Sequence, residues 1–237
     1  MSEPTPIAGS VAALRAALEA GRPGPTTEID PTPDDGEDEE TMAEIRAGGF
    51  AQARAIRWAK VAPSRFADAE LDDFRDRAIY PDLVEWAHAP RGRNLVLFGP
   101  IGVGKSRAAL AACRPGHDAG LEVRYHLVAE ALDLLRPGGP DDALDTLAEC
   151  DRLVLDDLGT ERPTDWTAER LGILIDRRWR EERPTVVTAN LELHRDDARN
   201  QLLGALGQRS YSRIVGDGAV VLRMTGPDLR RRNAGDE

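Results

Sequence analysis

Aromatic residues, cysteines and lysines are scarce in this chain of 237 residues. Phe, Trp and Tyr make up 5% of the sequence, so few flat side chains are available on which nucleic-acid bases could stack. The only cysteines are Cys113 and Cys150, and neither has a second Cys or a His at ligand spacing. This pattern excludes a zinc ribbon and a disulfide framework. Only two of the 31 basic residues are lysines, Lys60 and Lys105.

Long apolar runs are also absent. No stretch of 18 or more apolar residues could cross a bilayer, and the first residues do not join a charged segment to an apolar one, so we expect no secretory signal. The 41% hydrophobic content is enough for one packed core. We therefore expect a cytoplasmic protein with no membrane partner, built from one medium-sized domain and a smaller appendage.

The acidic charge is concentrated near the N-terminus. The formal net charge is −11, but residues 1–45 hold 11 acidic and two basic residues, which leaves a net of only −2 on the rest. Because the rest is nearly balanced, it can carry a local basic patch. Residues 1–40, rich in Pro, Thr, Gly and acidic side chains, are predicted to be an acidic disordered tail.

A small helical N-terminal region is predicted at residues 41–62, where a capping-box pair precedes apolar residues at helical spacing. We expect this helix to be interrupted at Gly48-Gly49 and to continue to Lys60. Residues 63–237 are then the main domain.

Helices and short apolar strands alternate from residue 80 onward. The predicted strands are Asn94–Phe98, Leu121–Val128, Asp151–Leu155 and Pro184–Thr188. The predicted helices are Asp82–His88, Lys105–Ala112, Ala129–Leu135 and Asp165–Glu182. Apolar strands separated by helices predict a parallel sheet that is covered on both faces.

A glycine-rich loop follows the first predicted strand and precedes a predicted helix. Its glycines let successive backbone N–H groups face phosphate oxygens, and the helix N-terminus favours the same anion. Lys105 is predicted to reach the terminal phosphates, and the Ser106 hydroxyl to bind Mg²⁺. The predicted nucleotide-binding residues are Gly99, Pro100, Ile101, Gly102, Val103, Gly104, Lys105, Ser106 and Arg107.

Two carboxylates end a predicted apolar strand, in the sequence LVLDD. Ligands in open α/β folds bind at this end of the strands. Asp156 is predicted to hold Mg²⁺ through water, and Asp157 to orient or activate an attacking water. The alternative, a solvated or helix-capping acid pair, is less consistent with the glycine loop upstream.

Asn190 and three arginines could complete such a site. Asn190 ends a predicted strand at the same edge of the sheet, where its carboxamide could bond the water or the γ-phosphate, although Asn is also a common turn former. Arg209, Arg213 and Arg230 could stabilise charge on a transferring phosphoryl group. In a chain with 29 arginines most must be solvated, and these three do not stand out by themselves.

In their order and spacing these elements resemble the AAA+ ATPases, and within them the bacterial and phage helicase loaders related to DnaC and IstB. The resemblance covers roughly residues 60–232 and rests on LVLDDLGTE from Leu153, TAN from Thr188 and RSYSR from Arg209. It implies an α/β fold, a three-layer P-loop NTPase with a mainly parallel sheet and no full helical lid, since only 47 residues follow Asn190.

The resemblance also implies roles for individual residues. The match to Asn190 is sensor 1, the match to Arg213 is an arginine finger presented to a neighbouring subunit, and the match to Arg230 is sensor 2. Arg209 matches a second basic position of less certain role. Many AAA+ proteins have Glu where this chain has Asp157, and the shorter side chain would slow hydrolysis.

The function implied by the resemblance is ATP- and Mg²⁺-dependent loading of a hexameric, DnaB-like replicative helicase onto single-stranded DNA, with self-association through the ATPase domain. A transposition helper related to IstB shares every motif. A module that binds ATP with little hydrolysis gains support from Asp157, and a small-molecule kinase fits the strand-end acids and late arginines less well. For DNA, the arginine cluster Arg177, Arg178 and Arg180 is predicted to be solvated rather than a binding site.

Overall fold

In the computed structural model, the described residues are 48–90, 92–159, 164–190 and 195–229, with the backbone alone described for residues 195–203 and 205. The chain divides between Ala47 and Gly48, and all of these residues belong to the second unit, Gly48–Glu237. The predicted acidic tail and the start of the predicted N-terminal helical region lie outside the described residues.

The centre of this unit is a five-stranded sheet in which every pairing is parallel. In the order β2-β3-β4-β1-β5, strands β2 and β5 form the edges. The strands are β1 Leu95–Phe98, β2 Val123–Leu127, β3 Arg152–Leu158, β4 Thr185–Ala189 and β5 Val220–Arg223. Four of them were predicted, whereas β5 was not.

Helices pack on both faces of the sheet. They are α1 at residues 48–58, α2 Tyr80–His88, α3 Lys105–Asp118, α4 Val128–Leu134, α5 Ala143–Glu149, α6 Asp165–Arg180 and α7 Arg195–Val215, with short 3-10 helices at Ser64–Phe66 and Leu71–Phe74. This confirms the predicted three-layer α/β architecture with a mainly parallel sheet. After β4, only α7 and β5 form regular elements among the described residues.

The core consists of two apolar clusters, one on each face. Successive side chains of a strand point to opposite faces, so Leu95 and Leu97 of β1 join the cluster that contains Trp58 and Trp86, whereas Val96 joins the other cluster. Because β1 is buried on both faces along most of its length, its sequence LVLF is apolar throughout.

Several predicted element boundaries are wrong, each for a local reason. Gly48 and Gly49 are helical rather than an interruption. Helix α3 continues through Pro115 to Asp118, although proline removes one N–H from the helix. Strand β3 does not stop at Leu155 but runs on to Leu158. Helices α5 and α7 were not predicted at all.

No helix of the described residues is long and apolar enough to cross a membrane. Cys113 and Cys150 are both buried and free, and burial raises the pKa of the Cys113 thiol to about 12.

Candidate nucleotide-binding site

The glycine loop joins the end of β1 to the start of α3 and passes close to the chain that follows β5. Gly99 has φ 143° and Gly102 has φ 85°, in the region that favours glycine. A Cβ on Gly99 would lie 2.1 Å from the Met224 carbonyl oxygen, and one on Gly102 would lie 1.9 Å from Asp228 Oδ1. Gly99 therefore requires glycine for space as well as for backbone conformation, whereas a Cβ on Gly102 would displace the Asp228 side chain.

Lys105, the first residue of α3, folds back over this loop. Its Nζ donates to the carbonyl oxygens of Gly99 (2.9 Å) and Pro100 (2.6 Å), and the residue is 6% exposed. The ammonium is thus held inside the loop, where phosphate oxygens could accept its hydrogen bonds in place of the two carbonyls. Ser106 follows on the first turn of α3, and Ile101 is exposed at the tip of the loop.

The loop is fixed from two further sides. Arg77 donates to the Val103 carbonyl oxygen at 2.8 Å, and the Leu229 N–H donates to the Gly102 carbonyl oxygen at 2.9 Å. The second bond brings the end of the described chain to the phosphate loop. Arg230, the predicted sensor 2, is the next residue and lies outside the described residues.

Arg107, which was predicted to bind nucleotide, forms ion pairs on the surface. Its Nε lies 2.7 Å from Asp73 Oδ2, and its guanidinium also contacts Asp68 at 3.0 Å. These bonds raise the pKa of Arg107 and lower that of Asp68. The bonds tie α3 to the preceding segment of the chain, and a role for Arg107 in nucleotide binding stays a prediction.

The acid pair of β3 lies on a β-bulge. Leu155 is opposite Val187 and Leu158 is opposite Ala189, so Asp156 and Asp157 together face Thr188 of β4. Asp157 takes up the extra residue with φ 66°, a left-handed conformation that aspartate tolerates better than most residues. The bulge lets strand pairing resume beyond the acids, which is why β3 continues to Leu158.

Asp156 is 3% exposed, and both of its carboxylate oxygens accept hydrogen bonds. The Tyr125 hydroxyl donates to Oδ2 at 2.5 Å and the Thr188 hydroxyl donates to Oδ1. Burial and the adjacent Asp156 carboxylate raise the pKa of Tyr125, so its hydroxyl stays a donor. Sequence reasoning missed both of these partners of Asp156.

Asp157 is held by β4 through its backbone and its side chain. Its N–H donates to Thr188 Oγ1 at 2.9 Å, and the Asn190 side-chain amide donates to its Oδ1. The structure therefore brings together Asp156, Asp157 and Asn190, which the sequence predicted to share one edge of the sheet. Thr188 contacts both aspartates and connects them.

A magnesium ion fits this donor set only together with a nucleotide. An ionised carboxylate has about four lone-pair positions, and Asp156 uses two of them for Tyr125 and Thr188. Among the described residues, no group of three or more His, Cys, Asp or Glu side chains is arranged to hold a metal. Mg²⁺ keeps several waters and commonly takes one or two carboxylates plus substrate phosphates, which matches Asp156 and Ser106.

Arg213 and Arg209 lie on the last part of α7, beyond a non-helical Gly207 at φ 72° and ψ 158°. The Arg213 side chain is 13% exposed, forms an ion pair with Asp176 and covers the Trp179 ring at 4.9 Å. The Arg209 side chain is 81% exposed. Arg213 is thus held within its own chain, and its predicted role as an arginine finger would require it to leave Asp176.

One arginine of the cluster on α6 is buried, whereas the side chains of Arg177 and Arg180 are 32% and 59% exposed. Arg178 is 1% exposed, and it donates to the carbonyl oxygens of Leu147, Cys150 and Pro184, among others. Burial lowers the pKa of Arg178. The prediction that Arg178 is solvated is therefore wrong, because the end of α5 and the start of β4 leave carbonyl groups that need donors.

Comparison with known proteins agrees with this geometry. Residues 43–233 match the family model described as IstB-like ATP binding protein. The crystal structure of the DnaC helicase loader superposes with a TM-score of 0.60 at 26% identity, over 68% of this chain and 99% of that chain. No curated protein sequence matches this chain significantly.

Two more distant structures show the fold alone. The DnaI crystal structure has a TM-score of 0.58 at 24% identity, over 71% of this chain and 94% of that one. AMPPCP-bound DnaA from Aquifex aeolicus has a TM-score of 0.56 at 18% identity, over 72% of this chain and 53% of that one. Together with the family match over residues 43–233, these likenesses show a P-loop NTPase fold of AAA+ type.

Proposed function

This chain belongs to the family of IstB-like ATP binding proteins, and from that premise we propose that it is an ATPase that loads a hexameric, DnaB-like replicative helicase onto single-stranded DNA. The observation that carries the ATPase part is the contact between Asn190 and Asp157 beside a buried Asp156. The helicase part rests on the likeness to the crystal structure of the DnaC helicase loader, which covers 99% of the chain in that structure.

The residues around the loop would divide the work of binding and cleaving ATP. The backbone N–H groups of the loop and the Lys105 ammonium would bind the phosphates, and Ser106 and Asp156 would hold Mg²⁺, whose charge would offset that of the phosphate oxygens. Asp157 orients the attacking water and accepts a proton from it, and Asn190 fixes the position of that carboxylate. The products are ADP and inorganic phosphate.

Assembly would complete the site. An arginine supplied by a neighbouring subunit stabilises charge on the phosphoryl group in transfer, and Arg213 is the candidate from the resemblance. In the single chain Arg213 is paired with Asp176, so self-association has to offer Arg213 a better partner than Asp176. This proposal makes ATP turnover low in the isolated chain and higher in the assembly.

A reconstituted loading assay tests the loader function. Full-length chain, the replicative helicase of the same host and single-stranded circular DNA are mixed with ATP, and helicase on the DNA is measured after gel filtration. We expect ATP-dependent transfer of helicase that is lost with Lys105→Ala, whereas Arg65→Ala serves as a control because Arg65 is an exposed basic residue outside the glycine loop. ATP turnover without helicase binding would contradict the loader and leave the ATPase.

A transposition helper is the second candidate, because the family match over residues 43–233 is to an IstB-like protein. It would bind a transposase and stimulate strand transfer with the same dependence on Lys105.

A third possibility is an interaction module in which ATP is bound and not turned over, since Asp157 replaces the Glu of many AAA+ proteins. Single-turnover measurement of phosphate release separates this module from both ATPases.

A further inference from the structure

A cavity of about 690 Å³ lies away from the phosphate loop, against the edge strand β2. Its wall is built from the end of α1, the end of α3 and the residues of β2. A volume in this range is typical of pockets that take a small molecule or one unit of a polymer. None of the predicted nucleotide-binding residues contributes to its lining.

The charge of this wall is mainly positive. Arg57 and Lys60 line the cavity and are exposed, and neither forms an ion pair or a side-chain hydrogen bond with another residue in the described part of the chain. Arg124 also lines it and is paired with Glu122 at 2.6 Å, which is the only acidic residue of the lining. Within the described residues, two cations are therefore uncompensated at one concave surface, and this favours an anionic ligand.

His117 adds a buried polar atom that lacks a hydrogen bond. The residue lines the cavity, is 6% exposed and contacts the Trp58 ring in a tilted arrangement, with ring centroids 5.1 Å apart. Its Nδ1 is buried with no hydrogen-bond partner, and the Asp118 carboxylate is 3.6 Å away. Buried polar groups nearly always have a partner, so a ligand that enters the cavity could supply the one that is missing.

His126 adds a second imidazole to the same lining. Burial lowers the pKa of His126, so its ring is neutral at neutral pH and can both donate and accept a hydrogen bond. The cavity thus combines cationic donors with neutral polar rings. An acidic peptide offers carboxylates and backbone amides to such a site, whereas a nucleotide offers a charged phosphate together with a base whose edges donate and accept hydrogen bonds.

We infer that this cavity binds single-stranded DNA, with Arg57 and Lys60 on the phosphates and the histidines facing a nucleotide unit. The inference rests on the proposed function, in which DNA is a partner, and it names the surface that takes the DNA. Contacts to phosphate depend on charge and not on sequence, so the site binds DNA of any sequence and weakens with added salt.

The same strand connects this cavity to the nucleotide site. Tyr125 of β2 lines the cavity, and its hydroxyl donates to Asp156 Oδ2 at 2.5 Å. Strand β2 also pairs directly with β3, with Leu127 opposite Asp156. DNA that binds against β2 therefore contacts the strand that positions the magnesium-binding carboxylate, and DNA binding changes the rate of ATP turnover.

The test measures DNA affinity on the full chain, and also ATP turnover with and without the oligonucleotide, which should differ in wild type and stay equal in the cavity variant. Fluorescence anisotropy with a labelled thymidine oligonucleotide compares wild type, Arg57→Gln/Lys60→Gln and the control Arg65→Gln/Arg223→Gln, which removes two exposed arginines outside the cavity. The cavity variant should lose affinity about tenfold or more. The slope of the logarithm of the binding constant against the logarithm of the salt concentration should become less negative by about 1.4, at roughly 0.7 for each of two lost phosphate contacts on a single strand. The affinity of the control variant should stay within about twofold of wild type, since the two arginines that it removes make no phosphate contact in the cavity.

Each outcome decides the inference. Equal loss in both double variants, or no loss in either, overturns the cavity as the DNA site while leaving the loader proposal open to the helicase assay. Failure of wild type to bind the oligonucleotide with ATP present overturns both the cavity and the DNA part of the proposed function. If polyglutamate displaces the oligonucleotide at equal charge concentration, the cavity is a site for an acidic protein segment and not for DNA. If free AMP displaces the oligonucleotide at equal phosphate concentration, the cavity is a site for a free nucleotide, and the inference that it binds DNA is likewise wrong.

Discussion

The side-chain amide of Asn190 donates a hydrogen bond to Asp157 Oδ1, and this bond joins the ends of two neighbouring parallel strands, β4 and β3. The two residues are 33 positions apart in the sequence. The pairing places a carboxamide next to the carboxylate that would handle the attacking water, and Thr188 connects the same carboxylate residue to Asp156. Four predictions test this arrangement and its surroundings.

Replacement of Asp157 by Asn should abolish hydrolysis without loss of nucleotide binding. Asn keeps the shape of the side chain and tolerates the positive φ at this position, but it cannot accept a proton from water. We expect ATP turnover to fall by about 100-fold or more, with the dissociation constant for a non-hydrolysable ATP analogue within about threefold of wild type.

Asp217→Asn is the matched control for Asp157→Asn. Asp217 is also a non-glycine residue at positive φ, with φ 50°, and it accepts a hydrogen bond from Trp179 away from the phosphate loop. Its replacement should leave turnover unchanged. Similar losses in both variants would mean that backbone strain, and not the chemistry of Asp157, accounts for the effect.

Removal of the Tyr125 hydroxyl should weaken magnesium binding. In Tyr125→Phe the buried Asp156 carboxylate loses one of its two donors, so its orientation toward the metal is less fixed. Loss of a partner that orients a metal ligand typically costs roughly 10- to 100-fold in metal affinity. The concentration of Mg²⁺ that half-saturates ATP binding should rise by about tenfold in a titration with a fluorescent ATP analogue.

The control for Tyr125→Phe is Tyr80→Phe, because the Tyr80 hydroxyl also donates to an aspartate, Asp72, at 3.1 Å and on the surface. It should leave the magnesium titration unchanged. An unaltered Mg²⁺ requirement in Tyr125→Phe would show that Thr188 alone is sufficient to orient Asp156.

Mixing two inactive variants should restore ATP turnover if Arg213 acts in a neighbouring subunit. Lys105→Ala lacks a working phosphate loop and Arg213→Ala lacks the arginine, and loss of an arginine finger lowers turnover by roughly a thousandfold or more. In a mixed assembly the intact Arg213 of the first variant can reach the intact loop of the second. Turnover should then recover to a measurable fraction of wild type.

The Arg213→Ala chain is also expected to be less stable, because Asp176 loses its close partner and Trp179 loses the guanidinium that covers it. Urea unfolding of each variant therefore accompanies the mixing assay. If mixtures of two folded variants stay inactive, Arg213 contributes to stability within its own chain and is not a finger. The exposed Arg209 is then the residue to test in the same way.

The thiol of Cys113 should be unreactive in the folded chain. Its pKa is raised to about 12 from a usual value of 9.0, mainly by burial, so the reactive thiolate is nearly absent at neutral pH. Because the folded pKa is the higher one, the stabilising effect is complete below about pH 9 and declines as the pH rises toward 12. In Cys150→Ala, the reaction of Cys113 with Ellman's reagent at pH 8 should follow the rate of unfolding, and a faster reaction in folded protein would contradict it.

The phosphate loop, the strand that carries the acids and the parallel sheet could be predicted from the sequence, because each depends on residues close together in the chain. Gly99, Gly102 and Gly104 precede Lys105, the only lysine of the glycine-rich loop. The apolar strands indicate that both faces of the sheet are covered. Asn190 could be placed at the edge of the sheet because parallel strands end together. The family resemblance rests on the order of these same local patterns.

The partners of these residues were decided by the tertiary structure. The bulge at Asp157 and the bond from Tyr125 to Asp156 depend on the register between β2, β3 and β4, and no local pattern states which residues of different strands lie side by side. Arg178 is buried and not solvated because the ends of other elements present carbonyl groups to it. The sequence by itself thus determined the kind of site, through residues that act locally, whereas the packing of distant segments decided how each functional side chain is held.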